Sequence, residues 1–488
     1  MSSNPFKKLA GQTAVYGLGT MVPRLLNYLL VPIYTRVFAP EVYGQFTELY
    51  AYIALLLALL TYGMETTFFR HGRGQDFAKV YGNIMTSILS TTTLFVVAVV
   101  AFHGACTNAI GYHGKDIYIL LLGLVVAADA ITAVPFCVLR QRNEARRFAL
   151  IKIANVCTNV GLNLLFLVAL PGTFGPLAER WFGAEAGMLT WVFVSNLMAS
   201  LLNMALLLPE FKRIRLQWDA KLMRRLFSYS LPLMLVALIG MVNEVADKIV
   251  VRYMVPDRET AMQQLGIYGA NYKLAVLMTI FVQMFRYASE PFFFEKAEDR
   301  NSPQLFADVM KYFVICGLCI FLLITLFLDF FGYFIGSEGS SYREGLGIVP
   351  IVLMANLLYG VVFNLSIWYK LSDHTRYGTV ITAVGACVTL LCLLLLVPVI
   401  GYWGAALAHL GCYLVMAILS YCWGQRVYPI PYDMRRIGLY ILLAILLAAL
   451  SMLWHPSSAG LRIGLNLLYL IVFLLIAFRL DLRKALRA

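Results

Sequence analysis

Apolar runs of 16 or more residues recur along the whole 488-residue chain, and no other feature constrains its fold as tightly. A bilayer core about 30 Å thick takes roughly 20 such residues per helix. In lipid, only helices and closed barrels satisfy every backbone donor and acceptor, and barrel strands alternate apolar with polar residues. These runs do not alternate, so the chain reads as an all-α polytopic membrane protein. Composition agrees: 61% of residues are hydrophobic and 13% charged, against about a quarter charged in soluble domains.

Apolar stretches bounded by charge, Gly or Pro predict fourteen spans, near 10–37, 43–69, 79–103, 116–139, 147–170, 185–208, 226–254, 264–292, 307–335, 346–370, 377–399, 403–424, 437–454 and 463–478. The first is too long for a signal-peptide core and holds Pro23 and Arg24 at its middle, so the N-terminus is expected to be retained. Orientation follows from the short loops, because Lys and Arg concentrate on the cytoplasmic side. With the N-terminus placed there, 27 of the 39 basic residues fall in cytoplasmic segments and 7 in opposite ones. One missed or invented span would swap every later loop and blur that contrast. Both termini are therefore expected in the cytoplasm. Topology and acidic lipid account for the net charge of +13, and no nucleic-acid partner is needed.

The densest basic stretch, 210–225, mixes Lys212, Arg213, Arg215, Lys221, Arg224 and Arg225 with Ile214, Trp218 and Leu222. It reads as an interfacial linker. It separates an N-terminal lobe, 1–209 with spans one to six, from a C-terminal lobe, 226–425 with spans seven to twelve. Residues 426–488 add spans thirteen and fourteen and a basic tail. The lobes are a repeat: a shift of 225 residues matches Tyr43, Gly44, Tyr62, Glu65, Phe68 and Phe69 with Tyr268, Gly269, Tyr287, Glu290, Phe293 and Phe294. A shift of 216 matches Asn27 with Asn243 and Arg36 with Arg252, and a longer loop at Asp257–Gln264 absorbs the difference. Six spans separate the copies, so both have the same orientation, related by a pseudo-two-fold along the membrane normal.

An ionisable residue mid-span costs about 2.5 to 3.5 kcal/mol on insertion scales and calls for an interior or a wet cavity. Here such residues cluster. Span one has Arg24 after Pro23, with Asn27 a turn on; span two has Glu48; span seven has Glu244, Asp247 and Lys248; span eight has Asn271 and Lys273. These eight are the candidate substrate-binding residues. The competing reading is mutual neutralisation, with Glu244 answering Lys248 in the favoured i, i+4 order. Arg24 has no acid within a turn. Asp129 and His409 are isolated in their helices and are better read as satisfied polar side chains than as proton carriers. The nine cysteines are odd in number, and Cys316-x-x-Cys319 lies in an apolar helix without a second pair, so no metal or redox site is expected. Gly72-Arg-Gly74 is too short for a phosphate loop and no G-x-x-x-x-G-K-[ST] occurs. No catalytic residues or cofactor are expected, and H+ or Na+ coupling is the driving force left open.

The opening Leu9-Ala-Gly-Gln-Thr-Ala-Val-Tyr16-Gly-Leu-Gly19, then Leu30-Val-Pro32-Ile-Tyr-Thr-Arg36 and Tyr43-Gly44, resembles the N-terminus of Wzx-type polysaccharide flippases of the multidrug/oligosaccharidyl-lipid/polysaccharide exporter superfamily. The resemblance implies a two-lobe carrier in the bacterial inner membrane. Such a carrier moves undecaprenyl-pyrophosphate-linked oligosaccharide, of the O-antigen or lipopolysaccharide kind, to the outer leaflet. Membrane lipids, a polysaccharide polymerase and glycosyltransferases are the partners it implies. In similar flippases charged residues of spans one, two, seven and eight line the cavity, which points to Arg24, Glu48, Lys248 and Lys273. Relatives that carry a lipid-linked peptidoglycan precursor shape a lipid-tail groove with spans thirteen and fourteen, and the apolar 437–454 would suit that. A multidrug or small-solute antiporter of the same superfamily, and a polymerase or membrane glycosyltransferase, are the alternatives.

Overall fold

The structure, a computed structural model, describes residues 17, 19, 21–72, 77–183, 187–296, 302–372, 374–454, 456 and 458–482. The opening motif through Tyr16, Arg73 of the Gly72–Gly74 loop, and Arg483, Lys484 and Arg487 of the basic tail lie outside the described residues. All regular elements among the described residues are helical. Twelve of these helices are long and apolar enough to cross a membrane, and a bent pair makes a thirteenth. The first predicted span is described from 21 to 28 and as a short helix Val31–Val37.

The long helices are α1 (Pro40–Thr61), α2 (Phe77–Ala109), α3 (Asp116–Gln141), α4 (Ala145–Leu164), α5 (Leu189–Leu206), α6 (Ala220–Met254), α7 (Arg258–Leu274), α8 (Val276–Glu295), α9 (Ser302–Leu326), α10 (Val349–Leu365), α11 (Arg376–Ile400), α12 (Tyr402–Val427), α13 (Met434–Leu453) and α14 (Ala459–Ala477). Thus α1 to α6 are predicted spans two to seven, α7 and α8 together are span eight, and α9 to α14 are spans nine to fourteen.

Span eight is where reading and structure part. It is bent by 47° between α7 and α8. The expected loop Asp257–Gln264 is instead the first turns of α7, with the Asp257 carboxylate accepting the Thr260 amide at 2.8 Å as an N-cap. Polar residues filling an amphipathic first turn resemble a loop when read for hydropathy alone; the capping geometry makes them helix.

Contacts divide the chain into two units, one of residues up to Phe38 with Gln45–Val245, the other of Ala39–Gly44 with Ala246 onward. The division falls inside α6 rather than in 210–225, and the linker proper shortens to Lys212–Asp219 because α6 begins at Ala220. In the first unit, Phe68, Tyr81, Ile84, Ile88, Val138 and Leu226 form a buried cluster joining a short helix, Met64–His71, to α2, α3 and α6. In the second unit, α9 is the most enclosed span, with 67% of its apolar window buried, because α13 and α14 both pack on it. A polar clasp fixes them there. Asp481, buried just beyond α14, accepts from Tyr440 Oη at 2.6 Å, Lys311 Nζ at 3.2 Å and the Arg436 guanidinium. A buried carboxylate met by three donors holds helices where packing alone leaves register loose.

Candidate functional site

In the first unit a cavity of about 250 Å³ opens among α1, α3, α4 and α5 and the helix Met64–His71. Its lining includes Glu65, Asp129, Lys152, Asn155, Asn196 and Asn203. Asp129 Oδ1 accepts from Ser200 Oγ at 2.8 Å, Glu65 accepts from the Cys137 thiol at 3.7 Å, and Lys152 Nζ lies 3.8 Å from the centre of the Phe136 ring. Asn155 Nδ2 donates to the Ala199 carbonyl at 2.7 Å, while the buried Asn203 Oδ1 has no hydrogen-bond partner among the described residues. Two carboxylates facing one ammonium give the cavity a net negative balance.

In the second unit a polar chain crosses from α6 to α12. Lys248 Nζ meets both Asp247 oxygens at 3.0 Å. Tyr268 Oη donates to Asp247 Oδ2 at 2.5 Å, and Lys248 Nζ lies 4.4 Å from the Tyr272 ring centre. Tyr272 Oη lies 3.2 Å from His409 Nε2, and His409 packs edge-on against Tyr413. His409, isolated in sequence, is therefore a satisfied histidine at the end of this chain, as Asp129 is satisfied by Ser200.

The eight candidates from the sequence distribute unevenly. Arg24 is exposed on the helix 21–28, with no ion pair among the described residues. Asn27 accepts from Asn159 of α4 at 3.3 Å. Glu48 is fully buried and accepts from Tyr112 Oη at 2.5 Å. Glu244 is exposed while its neighbour Asp247 is buried and holds Lys248. Asn271 donates to the Tyr342 carbonyl at 2.7 Å and so pins the segment before α10 to α7. Lys273 occupies the last turn of α7, beside the bend. Asp247 and Lys248 come together in one cluster with the tyrosines and His409; Glu48 and Asn271 bond elsewhere. Sequence reading names Asp129 and Glu65 singly but does not bring them together with Lys152 as a site. The available signal was the stripe Asn155, Asn159 and Asn163, spaced by four along one face of α4.

A second cavity in that unit, of about 220 Å³, is apolar. Val314 of α9, Val361 of α10, Ala417 and Ile418 of α12, and Ile437 and Ile441 of α13 are among its walls. Arg286 of α8 and Lys370 both stand over the Phe363 ring, at 5.2 and 4.8 Å, and Lys370 pairs with Glu290 at 2.8 Å.

The family model described as "Polysaccharide biosynthesis protein" matches residues 9–297. The chain belongs to that family. No curated protein matches it in sequence. Among solved structures, the lipid II flippase MurJ in an inward closed conformation is similar at 13% identity and a TM-score of 0.68, over 96% of this chain and 99% of that one. An inward-facing multidrug resistance MATE transporter is similar at 14% identity and 0.63, over 88% and 98%. An outward-facing transporter of the same MATE family gives 15% and 0.59, over 90% and 97%. This polysaccharide biosynthesis family member therefore has the MurJ/MATE fold and is a polytopic membrane protein.

Proposed function

We propose that the protein is a flippase of the bacterial inner membrane, with both termini cytoplasmic. It moves undecaprenyl-pyrophosphate-linked oligosaccharide units, of O-antigen or lipopolysaccharide type, to the outer leaflet by alternating access. It acts as a carrier rather than an enzyme, downstream of glycosyltransferases and upstream of a polymerase. The observation that carries this reading is the apolar cavity against α13. A soluble sugar has no use for such a surface, whereas a polyprenyl chain gains from every methylene it removes from water. Arg24 supplies a bidentate donor for pyrophosphate oxygens. An H+ or Na+ gradient drives the cycle, and the negative balance of Glu65 and Asp129 against Lys152, with the unpartnered Asn203 oxygen, supports the first unit's cavity as the ion's site.

The test is transport in vesicles with two cargoes, a fluorescent undecaprenyl-pyrophosphate oligosaccharide and a cationic dye, under imposed H+ or Na+ gradients. Flipping of the first without export of the second is expected. Ala417→Phe, which fills the apolar cavity, should slow flipping of the polyprenyl cargo at least about tenfold, the weight of two buried methylenes. Dye export without flipping would transfer the protein to the multidrug antiporters, whose fold it shares.

A further inference from the structure

The segment Lys212–Asp219 is strapped to the ends of α2 and α4 rather than hanging between lobes. Lys79 and Asp219 pair at 2.7 Å, and the Asp219 amide donates to Asn83 Oδ1 at 2.6 Å. The Gln217 side chain donates to the Lys79 carbonyl and its amide to Thr86 Oγ1, both at 3.2 Å. Glu210, just before the strap, receives Arg147 of α4 at 2.8 Å. The backbone of Arg215 crosses Gly82 so closely that a Cβ there would run into its carbonyl oxygen. The lysine ammonium, then the Leu222 amide, hold the Asp219 carboxyl below the usual carboxylate range, as expected for a charge-assisted clasp.

The strap has two faces. Phe211, Ile214 and Leu222 turn inward onto the buried cluster around Phe68 and Tyr81. Outward stand Leu216 and Trp218, 64% and 57% exposed, among the exposed Lys212, Arg215, Lys221, Arg224 and Arg225. A solvated charged face explains the basic residues but not a leucine and a tryptophan held out by a rigid backbone. Both are explained by a surface that is anionic at its headgroups and apolar just beneath. Tryptophan prefers that level, and each basic residue beside an acidic leaflet adds about fivefold to partition.

We infer that the face presented by Leu216, Trp218 and the five exposed basic residues docks on acidic phospholipid of the bilayer in which the protein sits, making the strap a headgroup-binding site. A soluble polyanion matches the charges but leaves Leu216 and Trp218 in water.

The experiment uses the full chain in vesicles of phosphatidylcholine and phosphatidylglycerol in fixed proportion, with bromine on the acyl chains of one lipid or the other. Subtracting the signal of Trp218→Phe removes the other six of the seven tryptophans. Brominated phosphatidylglycerol should quench Trp218 several-fold more than brominated phosphatidylcholine. That excess should fall at high salt and vanish when Lys212, Arg215, Lys221, Arg224 and Arg225 are all replaced by Gln. The salt arm uses the wild type and stands even where the fivefold variant does not fold. Equal quenching by the two lipids, no quenching by either, or protection of Trp218 by soluble polyphosphate in place of lipid would each overturn the inference.

Discussion

Lys152 and Arg24 are two cations within predicted spans, and they are answered differently. Lys152 sits over the Phe136 ring in a cavity with Glu65 and Asp129, three groups from three helices, so no local reading of the sequence could assemble them. Arg24 is singled out by local signals alone: a proline beside it and no acid within a turn. The structure leaves it exposed and without an ion pair among the described residues. An arginine in that position earns its cost if an anion visits it. Arg24→Ala is expected to abolish flipping while expression and thermal stability stay at wild-type levels. Arg24→Lys should keep part of the rate, since an ammonium offers a point charge where guanidinium offers two parallel donors. Transport by Arg24→Ala at the normal rate, or collapse of the folded protein, would make the residue a structural pin.

At the scale of elements, bilayer thickness dictates the length of an apolar run, which is why the spans could be read from hydropathy. Breaks and crossings obey other rules. The bend between α7 and α8 leaves no Pro or Gly at Ala275, and the contact between the start of α1 and the middle of α7 depends on residues more than 200 positions apart. There Gly44 and Gly266 meet backbone to backbone: a Cβ on Gly266 would overlap the Pro40 carbonyl oxygen, and one on Gly44 that of Met262. Sequence reading noticed Tyr43-Gly44 as half of a repeat and had no means of seeing the crossing. Gly266→Ala should therefore force the helices apart and destabilise the protein by about 1–3 kcal/mol, read as a lower midpoint in thermal unfolding. Gly438→Ala, on α13 with open space around its Cβ, is the control and should be neutral or slightly stabilising. Equal midpoints for the two variants would remove the crossing from the account.

At the scale of the whole molecule, the all-helical class was carried by composition and run length; against the fourteen predicted spans, twelve helices and one bent pair among the described residues are long and apolar enough to cross a membrane. The two cavities described were not so carried: the apolar one because residues that line a cavity and those that face lipid read alike, the polar one because its groups come from separate helices. Orientation rests on the 27 to 7 asymmetry of basic residues, which the helix order turns into a concrete pattern. Arg142 and His113 flank opposite ends of α3, Arg213 lies between α5 and α6, Arg258 opens α7 and Arg435 opens α13; all five are exposed. With the nine unpaired cysteines replaced, single cysteines at Arg142, Arg213 and Arg435 should be shielded from an impermeant thiol reagent added outside intact cells. Cysteines at His113 and Arg258 should be labelled. Permeabilised cells supply the reference, since all five sites should then react. Because consecutive sites alternate across the membrane by an odd or even number of spans, a single helix wrongly counted reverses every site beyond it. Labelling of Arg213 with shielding of Arg258 would move the error to the first unit; a reversal confined to Arg435 would place it between α8 and α13.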